Sequence, residues 1–139
     1  MTSSKSRSLA AITYPEPTVK RAERALRCSP FRPKLLADMR SHSVSLRAMA
    51  DDRGIHNYYT RSPLSELAAE NELMWLIAVG LLRREVDGQG LTDSFRLTPL
   101  GRQLLQKIED QGFPEFRPGL RDQLYNSLSR WLRLPGWLQ

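Results

Sequence analysis

Residues 62–101 constrain this chain more than any other stretch, because turn-forming residues divide it at fixed places. Ser62-Pro63 offers an N-cap serine followed by proline, which is favoured in the first helical turn because no amide hydrogen is needed there. Leu64, Leu67, Ala68, Met74, Trp75, Ala78 and Leu82 recur at spacings of three and four, which predicts a helix with one apolar face. Gly80 predicts its end, since glycine enters the left-handed turn without a Cβ clash. Leu81–Val86 and Ser94–Leu97 read as strands joined through the turn Asp87-Gly88-Gln89-Gly90. Thr98-Pro99 repeats the cap-and-proline signal, and Leu100, Leu104, Leu105 and Ile108 give the next helix its apolar face.

From Val79 to Leu105 the order is Gly-Leu-Leu, strand, polar tip, strand, Leu-Thr-Pro-Leu-Gly, helix. In this order the segment resembles the wing and following helix of the winged helix-turn-helix superfamily, most of all its MarR-like and PadR-like groups, as a divergent member. The resemblance implies a mainly α fold with a small β-hairpin: a winged-helix domain over residues 11–112, followed by a C-terminal amphipathic helix. It also implies a non-enzymatic DNA-binding protein, a transcriptional regulator; the single cysteine fits a reducing cytoplasm. In such proteins the helix before the wing enters the major groove, and basic wing residues approach the backbone.

The flanking segments are less patterned. Residues 1–10 are serine-rich and basic, a composition expected to stay disordered. Pro17 to Cys28 predicts a short helix with Val19, Ala22 and Leu26 inward and Lys20, Arg21, Arg24 and Arg27 outward. Lys34 to Arg40 predicts another, with Leu35, Leu36 and Met39 inward; Ser43 is expected to cap a helix reaching Asp52, with Val44, Leu46 and Met49 inward. Residues 34–52 are readable as one kinked helix or as two. Gly54 to Arg61 reads as a loop. Beyond the stop at Gln111-Gly112-Phe113-Pro114, residues 113–139 form a C-terminal helix and tail. The helix around Leu120 to Leu132, with Trp131, either packs on its own domain or pairs two copies into a homodimer.

Charge is unevenly placed. The net charge is +6, which suits an acidic partner. Up to Arg61 there are twelve Lys/Arg against five Asp/Glu; from Ser62 onward there are nine against ten. The half expected to read DNA is therefore close to neutral. Its helix begins with Glu66, Glu70 and Glu72, and the hairpin tip from Asp87 to Asp93 holds two aspartates and no cation. These departures from the family pattern put base readout in doubt and open a second reading, a winged-helix adaptor that binds another protein. Under the DNA reading the contacts to double-stranded DNA are Lys20, Arg21, Arg24, Arg27, Arg61, Arg83, Arg84 and Arg96. The two readings separate on one point: DNA binding requires these cations on one continuous face.

Catalysis has no constellation to carry it. The two histidines, His42 and His56, stand in no metal-ligand spacing, and Gly88 and Gly90 lie in a hairpin tip, outside any phosphate-loop context. The single cysteine, Cys28, excludes an internal disulfide. No catalytic residue, metal or cofactor is expected. The longest apolar run, Leu73 to Leu82, is about half a membrane span, so no membrane partner is expected either.

Overall fold

A computed structural model of the chain describes residues 13–110. Helix α1 covers Glu16–Arg27 and α2 covers Pro33–Ser41. A two-residue strand β1, Val44–Ser45, and a 3-10 turn, Arg47–Met49, lead to α3, Asp51–His56. Helix α4 covers Glu66–Ala78, strands β2 and β3 cover Leu82–Asp87 and Gly90–Leu97, and α5 covers Pro99–Asp110. The described chain is thus mainly α with a small antiparallel sheet, in the strand order β1-β3-β2. The expected basic tail, and the C-terminal helix with its packing or dimerisation, lie outside the described residues.

Local chemistry accounts for the helix ends. Helices α1, α2 and α5 begin with proline in the first turn. Helix α1 carries Glu16 at its start and Arg24 and Arg27 at its end, which complements the helix dipole. Helix α4 ends in a Schellman turn: the Gly80 amide donates to the Ile77 carbonyl (3.0 Å), and the Leu81 amide to that of Leu76 (2.9 Å). Gly80 takes φ +90°, the left-handed conformation expected of it. Thr98 caps α5, its hydroxyl accepting from the Gly101 amide at 3.1 Å.

The core lies between the helices and the inner face of the sheet. Trp75, Phe31, Phe95, Leu35, Met39, Leu76 and Leu81 are all fully buried within it. Polar ties brace its edge. Arg40 on α2 donates two bonds to the Glu109 carboxylate on α5, at 2.6 and 2.9 Å. Lys107 on α5 meets Glu23 on α1 at 3.3 Å. The Tyr59 hydroxyl donates to Asp38 at 2.6 Å, and Lys34 reaches the same oxygen at 3.0 Å. Burial pushes the Tyr59 hydroxyl up to about 12, and its bond to Asp38 adds to this. Burial also pushes the Asp38 carboxyl up, but the bonds from Tyr59 and Lys34 outweigh it and hold the group below its ordinary range.

The structure corrects several expectations. Helix α4 starts at Glu66, and its N-cap is Ser65, whose hydroxyl accepts from the Ala68 amide at 3.1 Å. Ser62 and Pro63 precede it, and the carbonyl of Leu64 accepts from the Asp51 amide, which pins this segment to the start of α3. The inward face of α4 is Ala69, Leu73, Trp75 and Leu76, while Leu67 and Met74 point outward. Apolar residues surround the helix, so spacing alone does not fix which side faces the core. The helix expected over Ser43–Asp52 is instead β1 and the 3-10 turn; Val44, Leu46 and Met49 are still buried. Strand pairing of Val44 with Phe95 outweighs any helical preference of so short a run. The loop expected from Gly54 to Arg61 begins three residues later, because Gly54–His56 form the second half of α3. Gly54 sits there because a Cβ would meet the Met49 carbonyl oxygen at 2.5 Å. Residues 34–52 therefore run from α2 through β1 and the 3-10 turn into the first residues of α3. The return strand is also longer than Ser94–Leu97, beginning at Gly90.

Two outcomes are expected. Gly54→Ala forces α3 off the 3-10 turn and costs about 1–3 kcal/mol, read as a lower denaturation midpoint with an unchanged slope. Arg40→Ala tests the tie between α2 and α5. The bonds from Arg40 hold the Glu109 carboxyl below its ordinary range against the opposing effect of burial. A depressed carboxyl gives stability that is present above its unfolded value, about pH 4.3, and is lost as pH falls through the folded one. Melting temperature in the parent should therefore drop on acidification below about pH 5. The same scan on Arg40→Ala should start lower at neutral pH and show a shallower acid drop.

Candidate interaction surface

The hairpin is anchored at its base. The Thr98 hydroxyl lies against the carbonyls of Gly80 and Leu81, and the Thr98 amide donates to the Leu81 carbonyl at 3.0 Å. Strand register then decides which side chains share a face. Leu82 pairs with Leu97, Arg83 with Arg96 and Arg84 with Phe95. Paired residues project to the same side and neighbours alternate. Arg84 therefore shares the inner face with Phe95, and Arg83 shares the outer face with Arg96.

Each arginine on the hairpin meets a carboxylate. Arg84 is only 19% exposed. Its guanidinium lies 3.2 Å from Asp93, 3.8 Å from Glu70 on α4 and 4.9 Å from the Phe95 ring centroid. On the outer face, Glu85 lies 3.1 Å from Arg83 and 3.7 Å from Arg96. One carboxylate there offsets part of two charges.

The remaining expected contacts lie elsewhere. Lys20, Arg21, Arg24 and Arg27 are on α1; Lys20 pairs with Glu16 at 3.2 Å, Arg27 with Glu23 at 2.8 Å, and Arg24 is half-buried. Arg21 lines a shallow pocket of about 220 Å³ with Gly80, Thr98 and Leu100, at the C-terminal end of α4. Arg61 is exposed ahead of the N-terminal end of that helix. The eight cations therefore divide between α1, the approach to α4 and two opposite faces of the hairpin. Arg84 and the pair Arg83 and Arg96 do not share a face of the hairpin.

Sequence reasoning misses what does come together. Six large apolar side chains are exposed among the described residues, and four of them stand on α4 and the hairpin, the two elements that Arg84 joins. Leu67 (68% exposed) and Met74 (45%) stand on the outward side of α4, about two turns apart. Val86 (62%) and its register partner Leu91 (74%) stand on the distal hairpin. The register shift between Arg84 and Val86 adds its extra residues to β3, so β2 keeps its alternation and Val86 shares a face with Arg84. The Arg84 guanidinium also touches the Met74 sulfur at 3.5 Å, which joins the helix part of this surface to the hairpin part. Glu66, Glu70 and Asp93 carry its negative charge. Leu67 and Met74 are plain in the sequence, but three-and-four spacing assigns both to the core.

Among the described residues no group of three or more His, Cys, Asp or Glu could hold a metal ion. None of the described helices is long and apolar enough to cross a membrane. The fold and this surface define a small, mainly α domain with a three-stranded antiparallel sheet and a mixed apolar and acidic face. The chain belongs to the Npun_F0494-like family, whose model matches residues 12–130. No curated protein and no solved structure matches it.

Replacing Arg84 with alanine is expected to destabilise the fold by about 1–2 kcal/mol, through loss of its ring contact and its two carboxylate partners. Thermal denaturation checks this. A free phosphate-binding arginine would leave stability within about 0.5 kcal/mol of the parent.

Proposed function

We propose that this chain is a non-enzymatic protein-interaction module of winged-helix type, docking a partner through the face formed by α4 and the hairpin. The winged-helix assignment is supported by element order. Helix α2, short strand β1, helices α3 and α4 and the hairpin follow one another, and β1 joins the hairpin as a third strand. One observation carries the docking reading. Where a DNA reader presents cations to phosphate, this chain presents Leu67, Met74, Val86 and Leu91 around an Arg84 already held by Glu70 and Asp93. Carboxylates repel phosphate, and apolar side chains gain nothing from it. Against a protein, the same side chains gain by leaving water, at about 25 cal/mol per Å² buried. An exposed apolar cluster with a polar rim is the usual mark of such a surface.

DNA binding stays as the second reading because of one fact, the excess of cations before Ser62. It predicts affinity that is electrostatic and not sequence-selective.

A photo-crosslinking amino acid placed at Leu67 or Leu91 in the source cells tests the proposal. Both positions should give an adduct with the same partner protein; position 20 on α1 should not, and Met74→Asp should abolish it. The proposal is overturned by the absence of adducts together with binding to mixed-sequence duplex that falls steeply with salt and weakens in Arg83→Ala with Arg96→Ala.

A further inference from the structure

The face that docks a partner also limits the partner's chemistry, and the inference drawn from this rests on the docking reading. We infer that the occupant is a cationic amphipathic helix of another protein, with leucine-type side chains on one stripe and arginine or lysine beside it.

Shape supplies the first half of the argument. Leu67 and Met74 lie seven residues apart on one helix, about 10 Å along its axis. Val86 and Leu91 stand on the hairpin, which Arg84 joins to α4 through Met74 and Glu70. An apolar strip with a raised wall accepts a helix through anchors at i, i+3, i+4 and i+7.

Charge supplies the second half. Glu70 and Asp93 hold the guanidinium of Arg84, Glu66 adds a third carboxylate one turn before Glu70, and Arg61 lies ahead of the helix. Asp93 is 76% exposed and Glu70 39%, so both keep oxygens open to solvent while holding Arg84. This acidic rim sits on a chain of net charge +6. A neutral or acidic partner would leave these carboxylates uncompensated on docking, whereas a cationic one pairs with them. Electrostatic complementarity of this kind selects partners and speeds encounter.

Fluorescence anisotropy with the full chain and designed peptides of about 18 residues tests the inference. One peptide carries the leucine stripe flanked by arginine, a second has glutamate in place of arginine, and a third scrambles the first. The arginine peptide should bind at least about tenfold more tightly than either control, and more weakly as salt rises. Leu67→Ser and Met74→Ser should each weaken it several-fold, and Glu66→Lys should narrow the preference for arginine over glutamate. Both substituted apolar positions are exposed, so an unchanged circular dichroism spectrum and melting temperature will show that the fold is intact. Equal binding of the arginine and glutamate peptides overturns the inference, as does binding of none. If peptides fail while positions 67 and 91 still cross-link a partner, the partner chemistry is wrong and the docking reading survives. If the cross-links are lost too, both fall. An adduct from position 67 to the chain's own residues 111–139, or to a second copy, overturns it as well by naming a different occupant.

Discussion

The Thr98 hydroxyl ties three elements together, and the placement of every side chain on the proposed surface depends on it. It caps α5 while lying against the carbonyls of Gly80 and Leu81, which are the residues that close the Schellman turn of α4. The end of α4, the entry to the hairpin and the start of α5 therefore share one polar junction. A hairpin free to swing at its base would not hold Arg84 of β2 within reach of Glu70 on α4. Because the base is fixed, register fixes the rest. Phe95 goes into the core, Arg84 lies across its ring, and Val86 and Leu91 continue along the same side.

That geometry changes what the basic residues can do. An arginine counts as a cation in any sum over the sequence, but its field is largely cancelled wherever a carboxylate lies within about 4 Å. Arg84 has two such neighbours, and Arg83 and Arg96 share one. On α1, Lys20 and Arg27 each find a glutamate one turn earlier. Surface pairs of this kind add little to stability, about 0–1 kcal/mol each. Their greater effect is on recognition, because a paired cation presents less free charge to an acidic partner. The charge excess remains a property of the whole chain, while the face between α4 and the hairpin is apolar and acidic.

Much of the architecture is legible in the sequence because punctuation residues act locally. Gly80, Thr98 and Pro99 specify their conformations through their own φ values, missing donors and hydroxyls, and all three sit where sequence reasoning predicts them. The inward faces of α2 and α5 are legible too, since their apolar residues are confined to one side. The orientation of α4 is not. With apolar residues on every side, its phase is set by tertiary partners, above all by Trp75 entering the core and Arg84 lying against Met74. Strand β1 is hidden for a similar reason: two residues carry no periodicity, and their conformation comes from pairing with Ser94 and Phe95. Gly54 misleads in the opposite direction. It reads as a helix breaker, yet α3 needs it, because only a residue without Cβ lets that helix approach the Met49 carbonyl.

The candidate surface is the least legible feature, and the cause is the same ambiguity in α4. Turning the helix about its axis keeps Trp75 in the core but takes Leu67 and Met74 from supposed packing to the proposed docking face. It also changes the role of the carboxylates. Glu70 and Glu72 look like obstacles to DNA when counted along the sequence, but in the fold Glu70 has a specific task, holding Arg84 across the floor of the surface. A guanidinium held between Glu70 and Asp93 can lie against Phe95 and Met74 without presenting free charge to solvent. The apolar side chains on either side of it then form one surface. Under the proposed reading, Arg84 keeps that surface continuous instead of contacting phosphate.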